Sequence, residues 1–166
     1  MAFSRTKHGC CGKIARIDAL DRKILAALQR EGRLTLTDLA GRISLSVSRC
    51  QRRLRELESR GALRGYYADV DPAAVGLGFT AIVFVTMHQE DRATVVEFET
   101  QVAAIPQIVA AQRLFGEPDY LLRVVAADLD SYRRLYDEHL ASLPGVQRLT
   151  STLVMKDLVG NRGLPL

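Results

Sequence analysis

The chain has 166 residues, 48% of them hydrophobic and 25% charged, so it can form a packed core and is not a disordered polymer. No run approaches the roughly 18 consecutive apolar residues that a membrane-spanning helix needs, so we expect no membrane partner. Residues 1–65 carry 15 Lys and Arg against 6 Asp and Glu, a net charge of +9, whereas residues 66–166 carry 8 against 13, a net charge of −5. A basic first part favours a polyanionic partner, with nucleic acid as the first candidate.

Residues 1–15 are predicted to be an N-terminal extension. Its basic residues are not followed by an apolar segment, so it does not resemble a secretory signal, and a cytoplasmic location is expected. Cys10, Cys11 and Cys50 make a poor disulfide framework and suit a reducing compartment. Exposed thiols are the favoured reading of the adjacent Cys10 and Cys11, and a zinc site with His8 is the lesser alternative. We predict no metal site and no cofactor.

Two short helices are predicted after the extension. Apolar residues recur at helical spacing first at Ile17, Leu20, Ile24 and Leu28, and again at Leu36, Leu39, Ala40 and Ile43. Asp18 and Asp21 resemble a capping box for the first helix, which Gly32 ends. Thr35 is the predicted N-cap of the second helix, with Asp38 favoured by the helix dipole. The tripeptide at 44–46 then interrupts the pattern.

A third helix is predicted from about Val47 to Arg60, with Ser46 as N-cap and Gly61 as its end. Because the second and third helices are joined by a tight turn, the three together indicate a helix-turn-helix. At 100° per residue, the apolar face expected to pack on the first two helices comprises Val47, Cys50, Leu54 and Leu57.

The opposite face of the third helix is rich in arginine. Only Glu56 and Glu58 offset the five arginines in 49–60, so internal ion pairs cannot neutralise this face. Arginine binds phosphates and also reads guanine edges in the major groove, and we therefore favour DNA recognition over a merely solvated charged face. The predicted DNA-contacting residues are Ser46, Ser48, Arg49, Arg52, Arg53, Arg55 and Arg64.

Arg64 lies in a predicted short strand from Leu63 to Val70, which would be the wing of a winged helix. From that wing Arg64 either reaches the DNA backbone or simply faces solvent, and the sequence does not separate these readings. We predict a winged helix-turn-helix domain over 16–70 and a linker over 71–78.

The second part, 79–166, is predicted to alternate strands and helices. The expected elements are a strand over 79–89, a helix over 93–104, strands over 108–115 and 120–126, a helix over 129–143 and a strand over 146–159. This order is that of a ferredoxin-like βαββαβ domain, which makes the whole chain α+β. On the first strand, one face carries Phe79, Ala81, Val83, Val85 and Met87, and the other carries Ile82 and Phe84. Helices can cover only one face of such a sheet, so we expect a second subunit to cover the other.

Several segments resemble the Lrp/AsnC (feast/famine) family of transcriptional regulators. The matching segments are Leu20–Leu25, Leu45-Ser46, Arg53–Gly61, Tyr66–Pro72, Gly116–Leu122, Leu143–Val146 and Leu164–Leu166. They cover residues 16–166 in order and at the family's spacing. The first 15 residues are an addition to this pattern, and the turn Gly-Glu-Pro-Asp departs from it at Glu117 and Pro118.

The resemblance implies a DNA-binding winged helix, an oligomerisation domain and homodimers that often form octamers or larger discs. In relatives a small effector, usually an amino acid, binds between subunits near the turn before the third strand. Carried over to this chain, the effector-binding residues are Gly116, Asp119, Tyr120, Thr150 and Thr152. Each of these residues also has a plain structural explanation, as a turn or strand residue.

Two other functions are weighed against an effector-responsive regulator. An architectural DNA-binding protein would use the second domain only to oligomerise, and the sequence does not separate it from a regulator. Some proteins with this two-part frame resemble sirohaem decarboxylases, but such an activity would want a histidine at the turn over 116–120, which has none. We therefore expect the chain not to be an enzyme.

Overall fold

The computed structural model describes residues 17–88, 91–160 and 162–166. These residues divide into two compact units. The first contains the described residues up to Ala68 together with 162–166, and the second is Asp69–Gly160. The predictions for residues 1–15, including Cys10 and Cys11, lie outside the described residues. Within the described part of the chain, no helix is long and apolar enough to cross a membrane.

The first unit is built from three helices, α1 (Ala19–Arg30), α2 (Leu36–Arg42) and α3 (Val47–Ser59). The predicted capping box is present, because Asp18 accepts from the backbone N–H of Asp21 and Asp21 accepts in return from Asp18. Thr35 caps α2 through the N–H of Asp38, as predicted. Between α2 and α3, Ser44 adopts a φ of 58°, which gives the sharp turn of a helix-turn-helix. The core of this unit contains Ile24, Leu28, Leu39, Ala40, Ile43, Cys50 and Leu57.

The strand predicted over 63–70 is absent, and that segment is a largely exposed loop. A strand needs a partner for its backbone groups, and the described residues of the first unit contain no other strand to pair with it. The wing is therefore a loop, and the Tyr66 hydroxyl donates to Glu58 Oε1 at 3.2 Å. A short 3₁₀ turn at Ala73–Val75 follows.

The second unit is a four-stranded antiparallel sheet in the order β2-β3-β1-β4, with two helices. The strands are β1 (Phe79–Met87), β2 (Ile108–Arg113), β3 (Tyr120–Ala126) and β4 (Val146–Leu153). The helices are α4 (Arg92–Ala104) and α5 (Leu129–Leu135), and α5 continues into a π-helical turn at Tyr136–Leu140. The predicted order of strands and helices is confirmed, and this is the ferredoxin-like arrangement.

Three strands end earlier than predicted. β4 stops at Leu153, which pairs with Ala81, and one further backbone bond joins the Val154 N–H to the Thr80 carbonyl. Because β1 begins at Phe79, the predicted continuation of β4 to 159 has no partner on β1 past Met155 in this register. β2 stops at Arg113, which pairs with the first residue of β3. β1 ends at Met87, and the last residue predicted for it, Gln89, lies outside the described residues.

The two faces of the sheet differ. On β1, Ala81, Val83, Val85 and Met87 are buried against the helices, together with Phe98 of α4 and other residues of one continuous core. The intervening Ile82 and Phe84 are half-buried on the opposite face, where their partners are Arg123 and Leu121 of β3 and Thr152 and Thr150 of β4. We call this second face the open face.

Candidate DNA-binding and effector-binding sites

Helix α3 is fixed to the first unit by apolar contacts and by one ion-pair cluster. Cys50 and Leu57 are buried, and Leu54 packs partly buried against the same core. Burial raises the pKa of the Cys50 thiol, which fits a residue that acts as a small core side chain rather than as a reactive group.

Arg53, a predicted DNA-contacting residue, instead forms ion pairs within the first unit. Its Nη1 lies 2.7 Å from Asp18 Oδ2 and 2.7 Å from Asp21 Oδ1, and its side chain is only 17% exposed. The backbone N–H of Asp21 and then the Arg53 guanidinium hold the pKa of Asp18 below its usual value. Arg53 therefore ties α3 to the first turn of α1, and its guanidinium faces inward because two carboxylates attract it there.

Val47 also differs from its prediction. The sequence pattern places it on the packed face of α3, yet its side chain is 42% exposed. Counted at about 100° per residue, Val47 lies about 70° from the midpoint of the two buried residues Cys50 and Leu57, which puts it at the edge of the buried stripe.

Three arginines of α3 remain exposed. The side chains of Arg49, Arg52 and Arg55 make no hydrogen bond or ion pair with any described residue. Arg60, by contrast, pairs with Glu56 one turn earlier on the helix. We call Ser48, Arg49, Arg52 and Arg55 the arginine face, because these four exposed residues lie on the side of α3 away from its core.

The remaining predicted DNA contacts flank the arginine face. Ser46 has the extended backbone of an N-cap, but its hydroxyl makes no capping bond and lies 3.4 Å from the Ser48 hydroxyl. Arg64 is exposed in the loop that follows α3. Both side chains are exposed, Ser46 before the first turn of α3 and Arg64 beyond its last.

In the second unit, the turn before β3 is held by Asp119. Its Oδ2 accepts from the Met87 backbone N–H at 2.7 Å, and its own N–H donates to the Val85 carbonyl at 2.9 Å. Gly116 adopts a φ of 118°, a conformation that side chains rarely tolerate. Asp119 thus fixes this turn to the end of β1, with Oδ1 as its other acceptor.

Tyr120, one of the predicted effector residues, lies in the core instead of at the surface. It is 3% exposed, its ring packs 4.6 Å from that of Phe98, and its hydroxyl donates to Glu99 Oε1 at 3.0 Å. Burial and then the Glu99 carboxylate raise the pKa of Tyr120 to about 12. Because Tyr120 pairs with the buried Val85, it belongs to the helix-covered core.

Thr150 and Thr152 lie on the other face of the sheet. They pair with Phe84 and Ile82, respectively, and both are exposed on the open face. The predicted set is therefore divided: the turn lies at the strand ends, Tyr120 faces the helices, and the two threonines face away from them.

A cleft of about 370 Å³ lies beside the turn and is lined by Thr86, Glu117, Gln147 and Arg148. Arg148 Nη2 donates to Glu117 Oε1 at 3.2 Å, so the cleft contains one basic and one acidic group within reach of each other. Arg148 is two residues before Thr150 on the same face of β4. Sequence reasoning missed Arg148 because only the pairing of β4 with β1 places it opposite Thr86 and near the turn.

Comparisons with known proteins agree with this two-part architecture. A family model described as the Lrp/AsnC ligand binding domain matches residues 80–164, and one described as winged helix-turn-helix DNA-binding matches residues 17–64. The DNA-binding transcriptional activator DecR of Escherichia coli (strain K12) is 36% identical over 150 residues, 90% of this chain and 99% of its own. The Leucine-responsive regulatory protein of the same strain is 32% identical over 142 residues, 86% of this chain and 87% of its own.

Two solved structures similar to this chain contain an amino acid. A transcriptional regulator from Neisseria meningitidis in complex with L-methionine superposes with a TM-score of 0.84 at 35% identity, covering 90% of this chain and 97% of its own. A feast or famine regulatory protein from M. tuberculosis complexed with L-methionine gives a TM-score of 0.81 at 32% identity, covering 90% and 99%.

Proposed function

This chain belongs to the Lrp/AsnC family of DNA-binding transcriptional regulators, and on that premise we propose that it docks on double-stranded DNA through the arginine face of α3 and responds to an amino acid bound beside the Gly116–Tyr120 turn. The observation that carries the docking is the exposure of Arg49, Arg52 and Arg55, which have no partner among the described residues while Arg53 is held inward. Guanidinium groups that make no internal ion pair remain free to bind phosphates or guanine edges.

The docking is tested by DNA affinity across a salt series. The wild-type chain is measured on a duplex selected from a random-sequence library, beside Arg52→Ala and the matched control Arg133→Ala, an exposed arginine of the second unit. Each lost phosphate contact reduces the log-log salt slope by about 0.9, and a lost base contact costs about 1–3 kcal/mol. We expect Arg133→Ala to behave as wild type. Equal affinities and slopes for Arg52→Ala and wild type would exclude the arginine face.

The effector cleft has the charge pattern of a bound amino acid. An α-carboxylate pairs with the Arg148 guanidinium and an α-ammonium pairs with the Glu117 carboxylate, so one exposed ion pair is exchanged for two. Gly116 lets a ligand approach the backbone closely, Asp119 holds the turn, and Thr150 offers a hydroxyl on the same face of β4 as Arg148. No resident cofactor enters this proposal.

Thermal unfolding against the twenty amino acids tests the cleft. An amino acid present at 100 times its dissociation constant stabilises the folded chain by about 2.7 kcal/mol. Arg148→Met should abolish that shift, whereas Arg133→Met should preserve it because Arg133 lies outside the cleft. Flat curves for all twenty amino acids in the wild type would reject an amino-acid effector and favour the architectural alternative.

A second copy of the chain is the proposed partner for the open face. Half-buried Ile82, Phe84 and Leu121 form an apolar centre there, and apolar faces of this kind are typically covered by another protein surface. Phe84→Arg should reduce the mass measured by light scattering toward the 18.4 kDa of one chain, and Val96→Arg on the exposed side of α4 is the matched control. An unchanged mass for Phe84→Arg would reject this interface, whatever the final number of subunits.

We place the protein in the cytoplasm, beside the DNA that it binds, and assign it no catalytic step. The similar proteins described above are named as regulators of transcription, which supports a binding function.

A further inference from the structure

The first turns of α3 expose two side chains that contribute neither to the core nor to the arginine face. Val47, the first residue of the helix, is 42% exposed, and Gln51, one turn later, is also exposed. At about 100° per residue the two lie about 40° apart, and Arg55 lies about 40° further in the same direction. Val47 and Gln51 therefore border the arginine face and share its approach to a ligand.

The chemistry of Val47 is unusual for this surface. It is the one α3 residue with a large aliphatic side chain that remains more than one-third exposed, while Leu54 is half-buried and Leu57 is buried. In the major groove, the apolar group that a base edge offers is the C5-methyl of thymine. The first residues of a recognition helix are the ones that reach base edges. An exposed valine at this position matches a thymine methyl.

Gln51 offers a carboxamide with two N–H donors and one acceptor oxygen, and this side chain makes no hydrogen bond with any described residue. A glutamine in the major groove pairs in bidentate fashion with N6 and N7 of adenine. Four residues of helix rise span about 6 Å, which is roughly two base-pair steps. The groups contacted by Val47 and Gln51 thus lie within about two base pairs of each other.

We propose that Val47 and Gln51 are specificity-determining residues that select A·T pairs in each half-site, Val47 by contact with a thymine methyl and Gln51 by hydrogen bonds to adenine. This inference rests on the proposed docking of α3 on DNA. Arg52 and Arg55 then supply affinity through phosphates or guanine, and the two uncharged residues supply discrimination between base pairs.

Atomic substitution of the DNA tests each contact. The preferred duplex of the full-length wild type is first selected from a random library. Each thymine is then replaced in turn by uracil, which lacks the methyl, and each adenine by 7-deazaadenine, which lacks N7. We expect wild type to lose about 4-fold in affinity at one uracil position. We expect a loss of about 5-fold or more at one 7-deazaadenine position.

The variants assign these losses to side chains. Val47→Ala should become indifferent to uracil at that position, and Gln51→Ala should become indifferent to 7-deazaadenine, while each variant keeps the sensitivity that belongs to the other residue. A Gln51→Glu variant should shift the selected base from adenine to cytosine, because a carboxylate accepts from cytosine N4. Binding to a scrambled duplex within 2-fold of wild type shows that each variant is folded.

The outcomes separate this inference from the docking on which it rests. If Arg52→Ala weakens binding to every duplex but Val47→Ala and Gln51→Ala keep the base discrimination of wild type, the assignment of Val47 and Gln51 is overturned and the docking stands. If Arg52→Ala binds every duplex as wild type does, the docking itself is overturned. Loss of uracil sensitivity in Gln51→Ala instead of Val47→Ala would also overturn the proposed roles.

Discussion

Replacing Arg53 by methionine removes the charge that joins α3 to α1 while it keeps an unbranched side chain of similar length. In the wild type, Arg53 Nη1 contacts both Asp18 and Asp21 at 2.7 Å. The Asp21 side chain is only 10% exposed, so the variant leaves its carboxylate nearly buried without a cation. The Asp18 carboxylate is about half exposed and can be solvated when the partner is lost.

Breaking a buried ion pair by removing one partner costs about 3–5 kcal/mol. Asp21 retains the Asp18 backbone N–H as a donor at 3.3 Å, which reduces the penalty of the remaining charge. We therefore expect Arg53→Met to lower the free energy that holds α3 in place by about 2–4 kcal/mol. Adding Asp21→Asn should restore part of this loss, because the unpaired buried charge is then gone.

Thiol labelling of Cys50 measures this free energy locally. Cys50 is fully buried between α3 and the other two helices, so it reacts with a thiol reagent only when this unit opens. Serine at Cys10 and Cys11 leaves Cys50 as the single thiol of the chain. A loss of about 2–4 kcal/mol raises the labelling rate about 30- to 900-fold when the rate is proportional to reagent concentration.

Arg49→Met is the matched control, because it removes an exposed arginine of the same helix that has no partner among the described residues. Its Cys50 should be labelled at the wild-type rate. If Cys50 of Arg53→Met is also labelled at the wild-type rate, the ion pairs of Arg53 with Asp18 and Asp21 do not hold α3 in place. They would then not explain why Arg53 is missing from the arginine face.

Asp119→Ala should lower the hydrogen-exchange protection of the Met87 amide about 10-fold, since that amide loses its acceptor, and unchanged protection would remove the role given to Asp119. Hydrogen bonds from Thr94 hold the pKa of Asp91 below its usual value of about 3.9, so the stability that Asp91 gives α4 should be complete above that value and lost as the pH falls through the lower pKa of the folded chain. In denaturant titrations Asp91→Ala should destabilise the chain at pH 6 by an amount that shrinks as the pH is lowered below about 4, and an equal loss at every pH would contradict this role. Gly163→Ala places a Cβ about 3.0 Å from Gln29 Oε1, so it should disturb the Gln29–Leu164 hydrogen bonds and speed the digestion of residues 162–166 by carboxypeptidase. Equal digestion rates for the variant and the wild type would show that these hydrogen bonds do not hold residues 162–166 in place.

The helices of the first unit could be predicted because their signals are local. A capping bond joins residues three apart, so Asp18 with Asp21 and Thr35 with Asp38 identify helix starts without knowledge of the fold. The strand ends could not be placed in the same way. They depend on where the partner strand begins and ends: β1 begins at Phe79, so the register leaves β4 no partner on β1 beyond Met155, and the pairing itself ends at Leu153.

The predicted faces of α3 differ from the observed ones at two residues, because the polarity of a side chain does not by itself decide its burial. At about 100° per residue, Arg53 lies about 50° from the midpoint of buried Cys50 and Leu57, whereas Val47 lies about 70° from it. Arg53 is thus nearer the centre of the packed stripe than Val47. Two acidic residues at the start of α1 make its burial tolerable, and this pairing across 32 and 35 positions cannot be recognised from spacing along one helix.

Strand alternation likewise limits what the sequence predicts about the proposed effector site. Tyr120 directly follows the turn in sequence, so the sequence alone places it with the turn as an effector-binding residue. Residues of β3 alternate between the two faces of the sheet, however, and Tyr120 shares its face with buried Leu122 and Val124. Arg148 and Thr150 alternate onto the open face of β4 by the same rule. Hence the exposed residues beside the turn come from β4 and the turn itself, whereas the first position of β3 belongs to the core.

The charge available to DNA is smaller than the sequence suggests. Of the five arginines in 49–60, Arg53 is held by Asp18 and Asp21, and Arg60 is paired with Glu56, so Arg49, Arg52 and Arg55 remain. At about −0.9 per phosphate contact, these three contribute a log-log salt slope of at most about −2.7 for each chain bound to DNA. A steeper slope per chain would require other basic groups to reach the phosphates, with Arg64 in the loop after α3 the nearest along the chain. The excess of +9 in residues 1–65 is therefore divided between charges that build the domain and charges left for its partner.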